Sequence, residues 1–467
     1  MITFFRIFST FQVLSILVIL LLVKLPFGIG ELPTLIPEVE WQLTGQKMAE
    51  GNQIYKDIWT STSPIVALIY YLVNTLIGKD SLFFELTALI LVFLQAWFFN
   101  NTCANRKLYI EKTYVPALIY ILIMSVSFDL QKLSPPLIST TFILFALNSV
   151  LKQTETSQIN TNHSFEIGFF IGLGSLTHFP VSILVVWAII SLLLYSKLNL
   201  RQFLLLFLGF ALPFLFFGLY YSFFDSLGEF RDQWLESIFR IKAFSFSNFY
   251  NSLFVFMFSF VLMVLGILRI FSISRYNSYQ NRAHQIVLIL AMVSLVAVIL
   301  ADNTATYQFA ILVPVIAFFA TAFILHLKGT YLPEVIFIVF LTVNLVVQRV
   351  GYSSLLGMEY NHLGSIRVDE SVAEKYRGKK ILITGSDNSA YKDATSATKY
   401  LNWSLSRFEL QNPDNYQSII SINDTFRKEK PEVILDNAKV FGEVFKILPQ
   451  IKDQYKAVEP NVYYLKK

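Results

Sequence analysis

The first long polar segment of the chain, residues 31–64, carries the side chains whose types and spacing are best suited to chemistry. It contains the carboxylates Glu38 and Glu40, and further along it brings Lys56 next to Asp57. Carboxylates can take up protons, and lysine side chains can hold phosphate groups. We therefore expect any reaction of this protein to involve this segment.

Glu38 and Glu40 are two residues apart, so at the start of a helix their side chains point to different sides. We expect only one of them to face a given cavity, and Glu40 could instead pair with Lys47. Both acids are equally compatible with a solvated first helical turn, where they would complement the helix dipole.

The composition is that of a membrane protein. Hydrophobic residues make up 55% of the 467 residues and charged residues only 15%, which is too apolar for a soluble domain and typical of a polytopic membrane protein. The single cysteine, Cys103, excludes an intrachain disulfide. The histidines are scattered without metal-ligand spacing, so we expect no metal and no other cofactor. We also expect no nucleic-acid partner.

Eleven stretches of the chain are predicted to cross a bilayer as apolar helices. The run 64–78 is short for a span at about 15 residues, so we interpret it as a surface or partly sunk helix. Gly168 and Gly172 have the spacing that permits close helix packing. The predicted spans lie at about 7–29, 82–100, 113–128, 134–151, 165–178, 180–196, 202–222, 249–271, 285–301, 307–326 and 332–350.

The distribution of lysine and arginine predicts the orientation of these spans. With the N-terminus in the cytoplasm, the basic loops face the cytoplasm, as the positive-inside rule requires. The prediction is therefore a transmembrane domain over residues 1–350, whose first extracytoplasmic loop is 30–81, and a soluble extracytoplasmic domain over 351–467. Lys24, near the outer end of the first span, is expected to snorkel to the interface, with binding of a phosphate as the alternative.

The composition changes to charged, mixed sequence from about residue 365, which indicates a small soluble domain. The runs KKILITG, PEVILD and VYYLKK predict strands, and residues 389–400 and 438–452 predict helices. The expected fold class is an all-α polytopic membrane domain of about eleven helices followed by a small α/β domain.

The first loop resembles that of the GT-C superfamily of membrane glycosyltransferases, which includes protein O-mannosyltransferases and the transferases that modify lipid A with aminoarabinose. The resemblance rests on the order PEVEWQLTGQKMAEG, an acidic pair before an amphipathic helix that ends in Gly, then YKDIW, then the Pro-led helix SPIVALIYYL. The later run ATYQFAILVPVIAFF is similar to the aromatic helix start of the superfamily. The helix plan and the terminal domain agree with it in outline.

The resemblance implies a polyprenyl-phosphate sugar donor and an acidic residue that acts as general base for the acceptor. In the superfamily the acidic pair is usually Asp-Glu. Counting back from Gly51, Glu38 falls on the Glu and Pro37 falls on the Asp, so Glu38 or Glu40 would have to serve as the base, and we favour Glu38. The residues expected to bind the substrate or its phosphate are Lys56, Asp57, Arg231, Arg240, Lys242 and Tyr307.

Two functions follow from these features. The first is a membrane glycosyltransferase that moves a sugar from a polyprenyl-phosphate donor to an extracytoplasmic acceptor in a bacterial inner membrane. The second is a catalytically silent GT-C-fold scaffold or subunit of a cell-envelope assembly, which Pro37 at the expected Asp position keeps open. The expected partners are the bilayer, an isoprenoid-phosphate lipid, and an envelope protein or glycan acceptor.

Overall fold

The computed structural model describes residues 1–24, 32–78, 80–155, 161–196, 199–236, 246–272, 276–301, 305–329, 331–353 and 367–466. The chain forms two compact units that are interleaved along the sequence. The first unit consists of Met1–Leu32, Asp80–Phe217 and Lys242–Gly364. The second consists of Pro33–Lys79, Gly218–Ile241 and Ser365–Lys467.

Helices account for most of the described chain. Up to residue 353 they are α1 (Ile2–Phe5), α2 (Thr10–Lys24), α3 (Ile36–Ala49), α4 (Pro64–Leu76), α5 (Ser81–Asn105), α6 (Val115–Met124), α7 (Pro135–Glu155), α8 (Thr161–Thr177), α9 (Leu184–Tyr195), α10 (Leu200–Phe223), α11 (Leu227–Phe230), α12 (Phe246–Val255), α13 (Met257–Phe271), α14 (Ser278–Ile299), α15 (Val313–Leu325) and α16 (Tyr331–Ser353). Short 3₁₀ segments lie at Phe128–Gln131, Phe179–Ile183 and Thr306–Leu312, and a π-helical turn at Arg231–Leu235.

Apolar helices make the chain a multi-pass membrane protein. Within the described residues, six helical segments are long and apolar enough to cross a bilayer, and the bent pair of α12 and α13 would add a seventh. Helices α2, α4 and α6 and the segment Phe179–Tyr195 are apolar but shorter. A helix occupies each of the eleven stretches predicted to span, yet the number of spans stays a prediction, because several of these helices are too short to cross by themselves.

Glycines allow close contact between α8 and α10 in the first unit. A Cβ atom at Gly172 would lie 2.5 Å from the Phe210 carbonyl oxygen, and one at Gly209 would overlap with the Phe165 carbonyl oxygen. Gly168 is packed in the same way. Gly168 and Gly172 therefore allow the close helix packing that their spacing predicts.

The second unit contains a five-stranded sheet in the order β2-β1-β3-β5-β4. Strand β1 is parallel to β2 and β3, whereas β5 is antiparallel to both β3 and β4. The strands are β1 (Lys380–Thr384), β2 (Thr395–Ser396), β3 (Val433–Asp436), β4 (Tyr455–Glu459) and β5 (Val462–Leu465), and the accompanying helices are α17 (Glu370–Lys375), α18 (Trp403–Gln411), α19 (Tyr416–Lys428), α20 (Phe441–Ile447) and α21 (Pro449–Lys452).

Alternating side chains of the central strands bury both faces of this sheet. Ile381 and Ile383 of β1 pack in one apolar cluster together with Val39 and Leu43 of α3, while Leu382 packs on the opposite face. This alternation follows from the two-residue period of a strand. Helix α3, which carries the candidate acids, is thus part of the core of the second unit.

The C-terminal sheet confirms the predicted strands but corrects one helix. KKILITG, PEVILD and VYYLKK contain β1, β3 and β5. The helix predicted over 389–400 is wrong, because only Ser389–Lys392 forms a 3₁₀ turn and Thr395–Ser396 pairs with β1 as β2. The helix predicted over 438–452 forms as α20 and α21, which are separated at Leu448 before a proline. The domain boundary predicted at residue 350 stays a prediction.

The glycine contacts predict a difference between two glycines of the same helix. Gly209→Ala should destabilise the folded chain by about 1–3 kcal/mol, because the added methyl group overlaps with backbone atoms of α8. Gly218→Ala should leave stability unchanged or raise it by up to about 1 kcal/mol, because alanine favours a helix and, apart from its own helix backbone and chain neighbours, no heavy atom of the described chain lies within 4 Å of its Cβ position. Thermal unfolding of both variants in detergent measures this, and equal effects would contradict the proposed helix contact.

Candidate active site

Glu38 lies in the first turn of α3 and is buried, with 1% of its surface exposed. Its carboxylate accepts the backbone N–H of Leu35 at 3.3 Å and the side-chain amide of Gln42 at 3.1 Å. The helix begins with Pro37 in its first turn, where the missing N–H of proline is not needed. Pro37 therefore has a structural explanation, and Glu38 is a hydrogen-bonded carboxylate close to a helix N-terminus.

Glu40 lies on a different side of α3 and is held by several donors. The Thr60 hydroxyl donates to it at 2.7 Å and the Ser61 backbone N–H at 3.1 Å. The Asn402 side-chain amide lies 2.9 Å and 3.0 Å from its two oxygens. Glu40 therefore connects the first polar segment to the C-terminal part of the second unit.

The pairing of Glu40 with Lys47 that the sequence left open is wrong. Lys47 instead lies 3.5 Å from Glu50 and 3.8 Å from Glu429. The Glu40 carboxylate accepts from the side-chain amide of Asn402, a donor that is too far away in the sequence for helical spacing to predict. As the spacing of the two acids predicts, Glu38 and Glu40 are not part of one carboxylate pair.

Lys56 and Asp57 lie at an exposed turn that is anchored by Tyr55. The buried Tyr55 has a positive φ of 69°, which is unusual for a non-glycine residue, and its hydroxyl donates to the Thr62 carbonyl at 2.7 Å. Asp57 accepts the backbone N–H of Gln53 at 3.1 Å. The anchored turn directs Lys56 and Asp57 into the lining of a cleft of about 460 Å³ within the second unit.

The segment that carries Arg231 packs against this turn, because Gln233 donates to the Tyr55 carbonyl and the Phe230 ring lies 5.6 Å from the Tyr55 ring. Arg231 is exposed and lies 2.8 Å from Asp232 and 3.6 Å from Glu236. Arg240 and Lys242, which were predicted to bind phosphate, lie outside the described residues.

Tyr307 is buried in the 3₁₀ segment that precedes α15 in the first unit. Its backbone N–H donates to the carboxylate of Asp129 at 2.7 Å, and the Thr306 hydroxyl donates to the same carboxylate. Ser127 also donates to Asp129. A buried aspartate that the sequence analysis did not select thus fixes the position of this helix start.

A buried group of ionisable side chains in the first unit joins α2, α5 and the loop before α7. The Lys24 ammonium lies 3.2 Å from Glu85, and the Lys132 ammonium lies 3.3 Å from Glu85 and from the Leu32 carbonyl. None of the three side chains is more than 2% exposed. The prediction that Lys24 snorkels is therefore wrong, because its charge is buried against a carboxylate.

A signal for this group is present in the sequence. Glu85 follows the start of a predicted apolar span, where an ionisable residue usually marks a functional or paired position. Among the residues that the structure describes, no three or more His, Cys, Asp or Glu side chains are arranged to hold a metal ion. That the protein needs no metal stays a prediction.

Comparison with known families gives a match over most of the membrane region. Residues 61–352 match the family described as a family of unknown function, DUF6427. The chain belongs to the DUF6427 family. No curated protein matches its sequence.

Solved structures reveal the fold that this member of the DUF6427 family adopts. It is similar to ArnT from Cupriavidus metallidurans bound to undecaprenyl phosphate, with a TM-score of 0.58 and 10% identity over 98% of each chain. It is also similar to the apo oligosaccharyltransferase of Archaeoglobus fulgidus, with a TM-score of 0.52 and 12% identity over 96% of this chain and 73% of that one.

A third similarity is to the oligosaccharyltransferase AglB from Archaeoglobus fulgidus in complex with an inhibitory peptide and a dolichol-phosphate. Its TM-score is 0.51, with 11% identity over 98% of this chain and 75% of that one. The DUF6427 chain therefore has a GT-C-like fold, as its first loop predicts.

The contacts of Glu40 predict strong coupling to Asn402. In a double-mutant cycle, Glu40→Ala and Asn402→Ala should show a coupling energy of about 1.5–3 kcal/mol, because hydrogen bonds to a charged carboxylate are lost together. Chemical unfolding of the full chain in detergent measures this energy.

The control is the exposed pair of Gln46 and Glu50 on the same helix, whose side chains are 3.0 Å apart. Its coupling should be only about 0.2–0.5 kcal/mol, as for other solvated helical pairs. Equal coupling in both cycles would contradict a structural role for Glu40.

Proposed function

We propose that this protein is a membrane glycosyltransferase that moves a sugar from a polyprenyl-phosphate donor to an extracytoplasmic acceptor. The observation that carries the proposal is the similarity of the fold over 98% of both chains to a structure bound to undecaprenyl phosphate. The dolichol-phosphate in the similar archaeal structure supports the same class of donor. A lipid phosphate is a good leaving group when cations stabilise its charge.

Glu38 is proposed as the general base. It would take the proton of the acceptor as the acceptor oxygen bonds to the sugar and the bond from the sugar to the phosphate oxygen breaks. The polyprenyl phosphate leaves with that electron pair. Glu38 is favoured over Glu40 because the Glu40 carboxylate joins the first polar segment to Asn402, which is a structural role.

Lys24 and Lys132 are added to the residues proposed to hold the phosphate. Both are buried beside Glu85, and their two positive charges exceed its single negative charge, so the group can attract a further anion. Lys56, Asp57, Arg231 and Tyr307 remain predicted substrate contacts, as do Arg240 and Lys242.

The proposed topology has eleven spans, a cytoplasmic N-terminus and an extracytoplasmic C-terminal domain, in a bacterial inner membrane. The alternation of basic loops supports it. The proposed acceptor is an envelope protein or glycan on the extracytoplasmic side.

A second candidate is a catalytically silent scaffold of the same fold. Two observations favour it: Glu40 is committed to joining two parts of the second unit, and Pro37 stands at the position where the superfamily usually has Asp. A scaffold would need the buried acids only for stability. The two candidates differ in what they require of Glu38.

Replacing Glu38 should separate these candidates. Glu38→Gln keeps the size of the side chain but removes the base, so transfer of labelled sugar from polyprenyl-phosphate donors to native acceptors should fall by about 10²–10⁴-fold. The assay uses membranes of a deletion strain that express each variant at equal level. Glu50→Gln, on the exposed end of the same helix, is the control and should retain activity.

Mass spectrometry of lipid bound to the purified protein completes this test. Glu38→Gln should keep bound polyprenyl phosphate, whereas Lys132→Gln should lose most of it, because Lys132 is proposed to hold the phosphate. Full transfer by Glu38→Gln would instead favour another base or the silent scaffold.

The topology is tested by cysteine labelling of whole cells with an impermeant maleimide. Tyr416→Cys, at a position with 76% exposure, should react in intact cells, because the C-terminal domain is proposed to be extracytoplasmic. Lys112→Cys should react only after permeabilisation. The native Cys103 is buried and should give little background. Labelling of Lys112→Cys in intact cells would exclude the eleven-span topology.

A further inference from the structure

A polar cleft of about 460 Å³ lies within the second unit. Its lining comes from the end of α3, the turn after Tyr55, the stretch from Ser396 to Leu401, and α19. This volume is within the range of ligand-binding pockets and exceeds what a single inorganic ion fills. Four lysines and several hydroxyl groups line it, so its chemistry differs from that of an apolar packing defect.

Two of these lysines, Lys56 and Lys428, are exposed and have no ion-pair partner in the part of the chain that the structure describes. Lys47 differs from them, because Glu50 and Glu429 lie within 4 Å of its ammonium. The cleft thus contains positive charge that its own carboxylates do not pair.

Lys399 adds a third ammonium that is fixed in position. It lies 4.2 Å from the ring centroid of Trp59 and donates to the Ser421 hydroxyl at 2.6 Å, while Glu409 is 3.8 Å away. Burial lowers the pKa of Lys399, whereas the charge of Glu409 raises it and the charge of Lys428 lowers it. Lys399 and Lys428 line the same cleft, so an anion bound in it is attracted by both ammonium groups.

The lining has four lysines against three acids, so its acids offset only part of the positive charge. Asp57 accepts a backbone N–H from Gln53, and Glu429 faces Lys47. Asp424 lies at the exposed rim, and its charge raises the pKa of Lys399 less than burial lowers it.

Hydroxyl groups in the cleft provide acceptors. Ser396 donates to the Thr398 carbonyl at 2.9 Å and Thr425 to the Ser421 carbonyl at 2.7 Å, so both hydroxyl hydrogens are used within the protein. Their oxygen lone pairs can still accept hydrogen bonds from the hydroxyl groups of a ligand. A ligand with an anionic group and several hydroxyl groups matches both features.

We propose that this cleft binds an anionic saccharide, a sugar that carries a phosphate or carboxylate group. Lys56, Lys399 and Lys428 hold the anion, and the hydroxyl oxygens of Ser396 and Thr425 accept from the sugar. Lys56 is also a predicted substrate contact of the proposed transfer reaction, but binding in the cleft requires neither a donor nor Glu38, so the two proposals can fail separately.

The test uses the full chain in detergent and measures binding by saturation-transfer NMR and competition. The probes are glucose 1-phosphate, glucuronic acid, glucose and inorganic phosphate. Glucose 1-phosphate should bind at least about tenfold more tightly than glucose, because it adds charge-assisted hydrogen bonds. The double variant Lys56→Gln/Lys428→Gln should lose at least about tenfold in affinity for it.

Lys430→Gln is the matched control, since it removes an exposed lysine two positions from Lys428 but outside the cleft. It should bind as the unmodified chain does, and so should Glu38→Gln, which separates this site from the transfer reaction. Equal binding by the double variant and by Lys430→Gln would overturn the location of the site. If glucose binds as tightly as glucose 1-phosphate, the role of the charge is overturned. If inorganic phosphate binds as tightly as glucose 1-phosphate, the role of the sugar is overturned.

A further arm distinguishes the two sources of such a ligand. Phosphatidylglucoside carries a sugar phosphate on a lipid, and it competes with glucose 1-phosphate for the cleft. Tighter binding of the lipid supports a membrane headgroup as ligand, whereas tighter binding of glucose 1-phosphate supports a soluble glycan.

Discussion

The second unit depends on the carboxylate of Glu40. Thr60 donates to it from the same polar segment, and Asn402 donates to it from a position 362 residues further along the chain. Backbone hydrogen bonds reinforce this joint, because Trp59 donates to the Lys399 carbonyl at 2.7 Å and Asn402 donates to the Trp59 carbonyl at 3.0 Å. This polar connection is partly buried, and its members satisfy one another's hydrogen-bonding groups. These hydrogen bonds hold the segment that contains Glu40 and Trp59 in a fixed position against the segment that contains Lys399 and Asn402.

The direction of α3 follows from this joint. With Glu40 held on one side and Val39 and Leu43 packed on the sheet, the helix cannot rotate, and Glu38 is kept on its own side of the helix. The same joint holds the turn with Lys56 against the stretch that contains Lys399. The candidate base and the polar cleft are thus positioned by one set of contacts, although they serve different chemistry.

Much of the fold could be predicted because it is encoded locally. Apolar runs indicated the membrane helices, short β-branched runs indicated β1 and β3, and the spacing of Gly168 and Gly172 indicated close packing. The errors at residues 389–400 and at Lys24 share a cause, since each depends on a partner outside the local segment. Residues 395–396 form a strand because β1 lies beside them, and Lys24 is buried because Glu85 meets it. At the candidate site, helical geometry predicted that Glu38 and Glu40 point to different sides of α3. The partners of Glu40 could not be predicted, because Asn402 lies 362 residues further along the chain.

The composition of the second unit from separate stretches has a consequence for biosynthesis. The segment with the candidate acids, Pro33–Lys79, is synthesised before the strands on which α3 packs, which belong to Ser365–Lys467. Until then Val39 and Leu43 have no sheet to cover them, and the Glu40 carboxylate has no amide from Asn402. Loop closure over such a distance is slow relative to local helix formation. The acid-bearing helix therefore reaches its final environment only after the membrane helices between these stretches have been synthesised.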